Sequence, residues 1–128
     1  MRACYPIIIT KGEKYHVVSI PDFNTGTQGE DIADAMDMAR DAIGLLGIDM
    51  EDNNEPLPVP TPIHLVASGT EEAITTLVDV DFSEYRRKHD ERVVRKNCTI
   101  PSWMNYEAER RGLNFSALLQ DALKAALG

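Results

Sequence analysis

Two cysteines, three histidines and one tryptophan among 128 residues leave little material for several kinds of chemistry. Cys4 and Cys98 are far apart and stand on candidate strands. Both read as small apolar residues buried in a reduced cytoplasm, with neither a disulfide nor a nucleophile implied. His16, His64 and His89 share no spacing that would build a metal site, so no metal or other cofactor is expected. No apolar run approaches the ~20 residues needed to span a bilayer, and the first residues lack a secretory-signal pattern. Cationic charge is also scarce: 13 Lys and Arg stand against 21 Asp and Glu, a net of −8. What is present, at 43% hydrophobic residues, is enough for one globular domain and a tail.

The charge is unevenly shared. Residues 1 to 90 hold 7 Lys and Arg and 17 Asp and Glu, a net of −10, whereas residues 91 to 128 hold 6 and 4, a net of +2. A uniformly acidic chain would bind DNA poorly, but here the positive balance is concentrated in a short segment. The acidic part suits a basic protein partner, because opposite potentials speed encounter and set orientation.

Residues 1 to 90 read as α+β. Ala3 to Thr10 is strand-like, and Pro6 argues for an edge position or a bulge. Lys11, Gly12 and Glu13 make a turn, and Lys14 to Ile20 returns as a second strand. After a turn at Pro21, Asp22, Phe23 and Asn24, a short third strand is expected near Thr25 to Gln28. Asp31 caps a helix, with Asp34 three residues later in a capping-box position. Ile32, Ala35, Met36, Ala39, Ile43 and Leu46 keep helical spacing, and Gly47 reads as the stop. Pro56, Pro58, Pro60 and Pro62 predict an extended, exposed loop. Ala73 to Val80 gives another strand, and Phe82 to Asp90 a short polar helix.

Residues 91 to 128 follow a different plan. From Val94 the odd positions Arg95, Asn97 and Thr99 are polar, while Val94, Cys98 and Ile100 are apolar and Lys96 is the exception. Successive strand side chains point to opposite faces, so one face can enter a core while the other presents Arg, Asn and Thr. These are base-reading groups: Arg for guanine, Asn for adenine, Thr for base edges or a thymine methyl. Pro101 suits a strand-to-helix junction, Gly112 ends a first helix, and Asn114 or Ser116 can cap a second. Leu118, Leu119, Ala122, Leu123, Ala126 and Leu127 form an apolar stripe on that second helix. A 38-residue segment is too small for a self-sufficient core. Two copies pairing antiparallel would supply the missing ladder and give a two-stranded ribbon sized for the major groove.

The strand, helix, helix order of the tail resembles a ribbon-helix-helix domain. The whole chain resembles the HicB antitoxins. The resemblance is carried by Tyr15 to Val18 with Ile20-Pro21-Asp22-Phe23, then Gln28-Gly29, Asp31 to Ala35, Val78 to Asp81, and Glu84 to Lys88. It continues through Asn97 to Pro101, Trp103, Ala108, Gly112 to Ser116 and Leu119. It implies a partial ribonuclease-H-like β-β-β-α-β domain over 1 to 90 and a dimerising ribbon-helix-helix segment over 91 to 128. It also implies an antitoxin that occludes a small basic HicA-like mRNA-cleaving toxin and represses its own operon by binding operator DNA as a dimer or tetramer. By position, Arg95, Asn97 and Thr99 would read bases, and Asn114, Phe115 and Ser116 would hold phosphate through backbone N–H groups. Pro21, Asp22 and Phe23 are the expected toxin contact.

Two other readings fit parts of the sequence. A stand-alone ribbon-helix-helix regulator would use the acidic part to sense another partner. A ribonuclease-H-type nuclease would need several carboxylates converging on Mg²⁺ from different strands, and Asp22, Asp79 and Asp81 are the available set. Asp79 and Asp81 share a strand face opposite Val78 and Val80, so a solvent-facing pair is the simpler reading. No enzymatic activity is expected.

Overall fold

A computed structural model of the chain describes every residue except Ser68. It divides into two compact units, Met1–Glu91 and Arg92–Gly128. No helix among the described residues is long and apolar enough to cross a membrane.

The first unit runs β1 (Arg2–Lys11), β2 (His16–Ile20), a 3-10 turn (Pro21–Phe23), β3 (Thr25–Gly29), α1 (Ile32–Asp52), a second 3-10 turn (Ile63–Leu65), β4 (Ile74–Asp81) and α2 (Phe82–Lys88). The strands form one antiparallel sheet in the order β3-β2-β1-β4. Alternation assigns Tyr5, Ile7, Ile9, Val18, Ile20, Val78 and Val80 to one face. There they bury against Ala35, Ala39 and Ile43 of α1 and Phe82 of α2. Burying side chains of this size contributes roughly 1.5–3 kcal/mol each, so this face dominates the unit's stability.

Three expectations need correction. Pro6 lies in a central strand with an unbroken register against β4, from Arg2 opposite Asp81 to Ile9 opposite Ile74. It is tolerated there because the ladder with β2 begins only at Ile8, which leaves one flank of β1 without a strand neighbour at Pro6. Gly47 does not stop α1, which runs on to Asp52. The helix ends instead at Asn53 and Asn54, with Asn54 left-handed at φ 57° and N–H groups of Asn54 and Glu55 returning to Glu51 and Met50. Cys4 and Cys98 are both exposed. Cys4 occupies the sheet face opposite α1, and Cys98 belongs to a unit with almost no interior of its own.

At the N-terminus of α1, the Asp31 carboxylate accepts from the Asp34 N–H at 2.7 Å, and Asp34 accepts from the Glu30 N–H at 2.8 Å. The proline-rich segment is tied down as well as exposed. Tyr5 donates to the Pro58 carbonyl at 2.8 Å, Leu57 packs on the core, and the Asp22 carboxylate accepts from both the N–H and the hydroxyl of Thr61.

The second unit contains α3 (Ser102–Arg110) and α4 (Phe115–Leu127). Gly112, at φ 64°, closes α3, with its own N–H bonded to Glu109 and that of Leu113 bonded to Ala108. The Asn114 side chain caps α4 by accepting from the Ala117 N–H at 3.0 Å.

Candidate nucleic-acid and partner interfaces

The strand expected from Val94 to Ile100 is not formed: residues 91 to 100 carry neither strand nor helix. A strand exists only through its ladder, and a single chain offers this segment no partner strand. The alternation survives as a division of surfaces. Lys96, Cys98 and Ile100 line a cleft of about 400 Å³ together with Asn105, Phe115, Ser116 and Leu119. Arg95, Asn97 and Thr99 are exposed and take no part in that lining. Lys96 therefore follows the even-numbered row in position although not in polarity, its aliphatic stem being able to cover apolar surface.

Apolar exposure in this unit is extensive. Among its described residues only Ala108 is buried. Leu118, Leu119, Leu123 and Leu127 of α4 are 50, 40, 50 and 85% exposed, and Trp103, Met104, Leu113 and Phe115 are exposed with them. At the start of α4 the Ala117 N–H is taken by Asn114, which leaves the first-turn N–H groups of Phe115 and Ser116 directed outward along the positive end of the helix. Arg110 and Arg111 both lean on Glu107, at 2.8 and 3.8 Å. As exposed pairs they add little stability.

In the first unit, Pro21, Asp22 and Phe23 form the 3-10 turn between β2 and β3. Only Pro21 is exposed. Phe23 meets the Tyr5 ring edge-on at 4.8 Å, and Asp22 is engaged by Thr61. A cavity of about 230 Å³ lies beside the turn, lined by Phe23, Leu46, Met50, Pro56 and Pro58. The Asp22–Thr61 latch had no signature in the sequence, since its partners are brought together only by the return of the chain after α1.

The three carboxylates that a metal-dependent nuclease would need, Asp22, Asp79 and Asp81, have separate partners. Asp22 holds Thr61, and Asp81 caps α2 by accepting from Ser83 and Glu84 N–H groups. Asp79 pairs with Arg2 at 3.2 Å and with Arg40 at 3.3 Å. The Arg2 hydrogen bond, helped by a backbone N–H and by Arg40, holds the Asp79 carboxyl below the usual carboxylate range. Among the described residues, no three His, Cys, Asp or Glu side chains cluster as a metal site.

Fold and surfaces together define a small two-unit α+β protein: an acidic sheet-and-helix unit followed along the chain by a helical unit whose apolar face is uncovered. Over residues 5–121 the sequence matches the HicB-like antitoxin of bacterial toxin-antitoxin system family, and the chain belongs to that family. It is 30% identical over 109 residues to an uncharacterized 14.9 kDa protein from the rep-hol intergenic region of Haemophilus phage HP1, covering 83% of this chain and 79% of that protein. Among solved structures, a toxin-antitoxin complex from Streptococcus pneumoniae contains a chain matching at TM-score 0.62 and 26% identity, covering 98% of this chain and 99% of that one. The antitoxin HicB of Burkholderia pseudomallei matches at 0.57 and 24% identity over 98% and 99%, a likeness of fold. A chain of a HicA3 and HicB3 toxin-antitoxin complex matches at 0.52 and 26% identity, over 62% of this chain and 99% of that one.

Proposed function

We propose that the two units of this antitoxin serve two partners. The Met1–Glu91 unit binds a HicA-like mRNA-cleaving toxin and neutralises it by covering its working surface. The Arg92–Gly128 unit pairs with a second copy through residues 91 to 100, and the resulting ribbon-helix-helix dimer binds operator DNA and represses the operon. In that dimer Arg95, Asn97 and Thr99 read base edges, and the N–H groups at Asn114, Phe115 and Ser116 hold backbone phosphates.

The observation that carries this reading is the uncovered apolar surface of the second unit. A segment with Ala108 as its one buried residue has no core that offsets the conformational entropy lost on folding. A second copy would cover the Leu119 face and supply the antiparallel neighbour that residues 91 to 100 lack. The polar row then stays on the outside. For the toxin, support comes from two matched chains that belong to toxin-antitoxin complexes and from the net −10 of residues 1 to 90, which favours a basic partner. The Pro21–Phe23 turn enters the toxin surface as a rigid corner, because Asp22 and Phe23 are held by the fold.

Coexpression with a HicA-like toxin tests the first half: growth should be rescued and the two proteins should copurify. An operator gel shift tests the second. Arg95→Ala should lose about 1–3 kcal/mol of discrimination against a changed guanine and still neutralise the toxin. Operator binding without rescue would leave the stand-alone regulator in its place, and an unchanged shift with Arg95→Ala would remove the base-reading assignment.

A further inference from the structure

The two edges of the sheet are unlike. At the β4 edge, Arg40 reaches from α1 to donate to the Asp79 carbonyl at 2.9 Å, and the Asp79 carboxylate draws Arg2 alongside. Charged side chains along an edge are a usual guard against strand addition. The β3 edge has no such guard. Its sequence, Thr25-Gly26-Thr27-Gln28-Gly29, carries no charge and no proline, and its register with β2 runs without a bulge from Ile20 opposite Thr25 to His16 opposite Gly29. In an antiparallel pair alternate residues turn both their N–H and C=O away from the neighbour, and among the described residues no strand lies on that outer side of β3. Apart from Gln28 the side chains are small, so another backbone can approach closely.

The surroundings say what kind of strand fits. From Tyr15 to Ala39 there is no Lys or Arg, while Asp22, Glu30, Asp31, Asp34 and Asp37 all fall in that stretch. Of these, Glu30, Asp31 and Asp37 are exposed. A second copy would bring the same carboxylates face to face across the junction, and like charges there oppose pairing. A basic extended segment would meet opposite charge instead.

We infer that the free edge of β3 is the seat of the toxin, which adds a basic strand to the sheet and so continues it by backbone hydrogen bonds. The inference rests on the toxin-neutralising reading above and names the surface that performs it. Main-chain bonds supply the affinity in this mode of recognition, and the flanking charges set which strand is accepted.

Hydrogen exchange on the full chain, alone and with the toxin bound, tests the inference. The outward amides of Thr25–Gly29 should exchange fast in the free antitoxin and slow by at least about tenfold in the complex, whereas those already bonded to β2 should change little. Gln28 is exposed at the edge, so Gln28→Lys should weaken toxin binding by roughly tenfold through like-charge opposition, and Gln28→Glu should keep or strengthen it. Both variants should show wild-type circular dichroism and operator binding. A toxin that copurifies while the β3 amides stay unprotected overturns the edge assignment and leaves toxin neutralisation standing. Protection that rises with antitoxin concentration without toxin would overturn it in favour of self-pairing. No toxin binding at all would remove both.

Discussion

A Cβ built on Gly47 would stand 2.2 Å from the Phe82 ring, and one on Gly44 would stand 2.8 Å from the Tyr85 ring. These two glycines are where α1 lets α2 come close, and their lack of a side chain is the fit. Gly47→Ala gains about 1 kcal/mol of helix propensity but overpacks the core at a cost of about 1–3 kcal/mol, and with a rigid ring as the obstacle the cost wins. Urea unfolding should therefore show a lower midpoint for Gly47→Ala, with an unchanged slope. The reason Gly47 reads as a helix stop in sequence is local: a stop glycine and a packing glycine look alike until the ring above it, far along the chain, is known. Tyr85 offers a second test. Burial first, and then its 2.8 Å hydrogen bond to Asp41, push its hydroxyl up to about 12. A raised phenol holds its proton more tightly in the folded protein. Its contribution is complete below the ordinary value near 10 and is lost as pH rises from there toward about 12. Tyr85→Phe should flatten that alkaline loss and cost about 0.5–1.5 kcal/mol at neutral pH, both readable from melts across alkaline pH.

At the scale of elements, periodicity was enough to place the strands and helices of the first unit in order, since β1, β2, β4 and α1 bury most of the face that their spacing marks as apolar, with Ile32 and Ile74 left exposed at the element ends. Two kinds of element resisted. Pro6 looked like an edge residue because proline removes a ladder donor. It is central by sheet order and edge-like only on one flank, a distinction made by where β2 ends. Residues 94 to 100 looked like a strand because their side chains alternate, yet the backbone bonds of a strand come from a neighbour. The α4 stripe belongs to the same problem. Leu119 lines the cleft beside Cys98, Ile100 and Phe115, and placing a carboxylate there would put an unpaired charge in any interface that covers it. On the proposed pairing, wild-type chains should sediment as dimers and shift operator DNA, and Leu119→Asp should sediment as single chains and give no operator shift. The first unit should melt as before, because its core lies wholly in Met1–Glu91.

For the whole molecule, the division at Glu91 separates two kinds of stability. Met1–Glu91 has a buried cluster of Tyr5, Ile7, Ile9, Val18, Ile20, Ile43, Val78, Val80 and Phe82, whereas Arg92–Gly128 depends on what covers it. A fragment ending at Glu91 should fold cooperatively, keep the toxin soluble and inactive, and fail to shift operator DNA at any concentration. Loss of the circular dichroism of the folded sheet in that fragment would show that the units are not separable. The proposed pairing would also account for a mildly basic tail on an acidic chain. Two tails brought together would double the positive charge near the DNA, and operator binding that rests on such charge should weaken steeply with salt.

Hydrophobic alternation, helical spacing, capping residues and the separation of charge could all be read along the chain. They depend on near neighbours, and that is why α+β organisation and the cap at Asp31 were legible, with Asn114 one of two candidates for the second cap. The latch between Asp22 and Thr61, the engagement of Asp79 by Arg2 and Arg40, the glycine contacts with Phe82 and Tyr85, and the contrast between a guarded β4 edge and a bare β3 edge were not. Each of these joins residues that only the folding of the sheet brings within a few ångströms, and distance in space, unlike spacing in sequence, is decided by the packing of the whole.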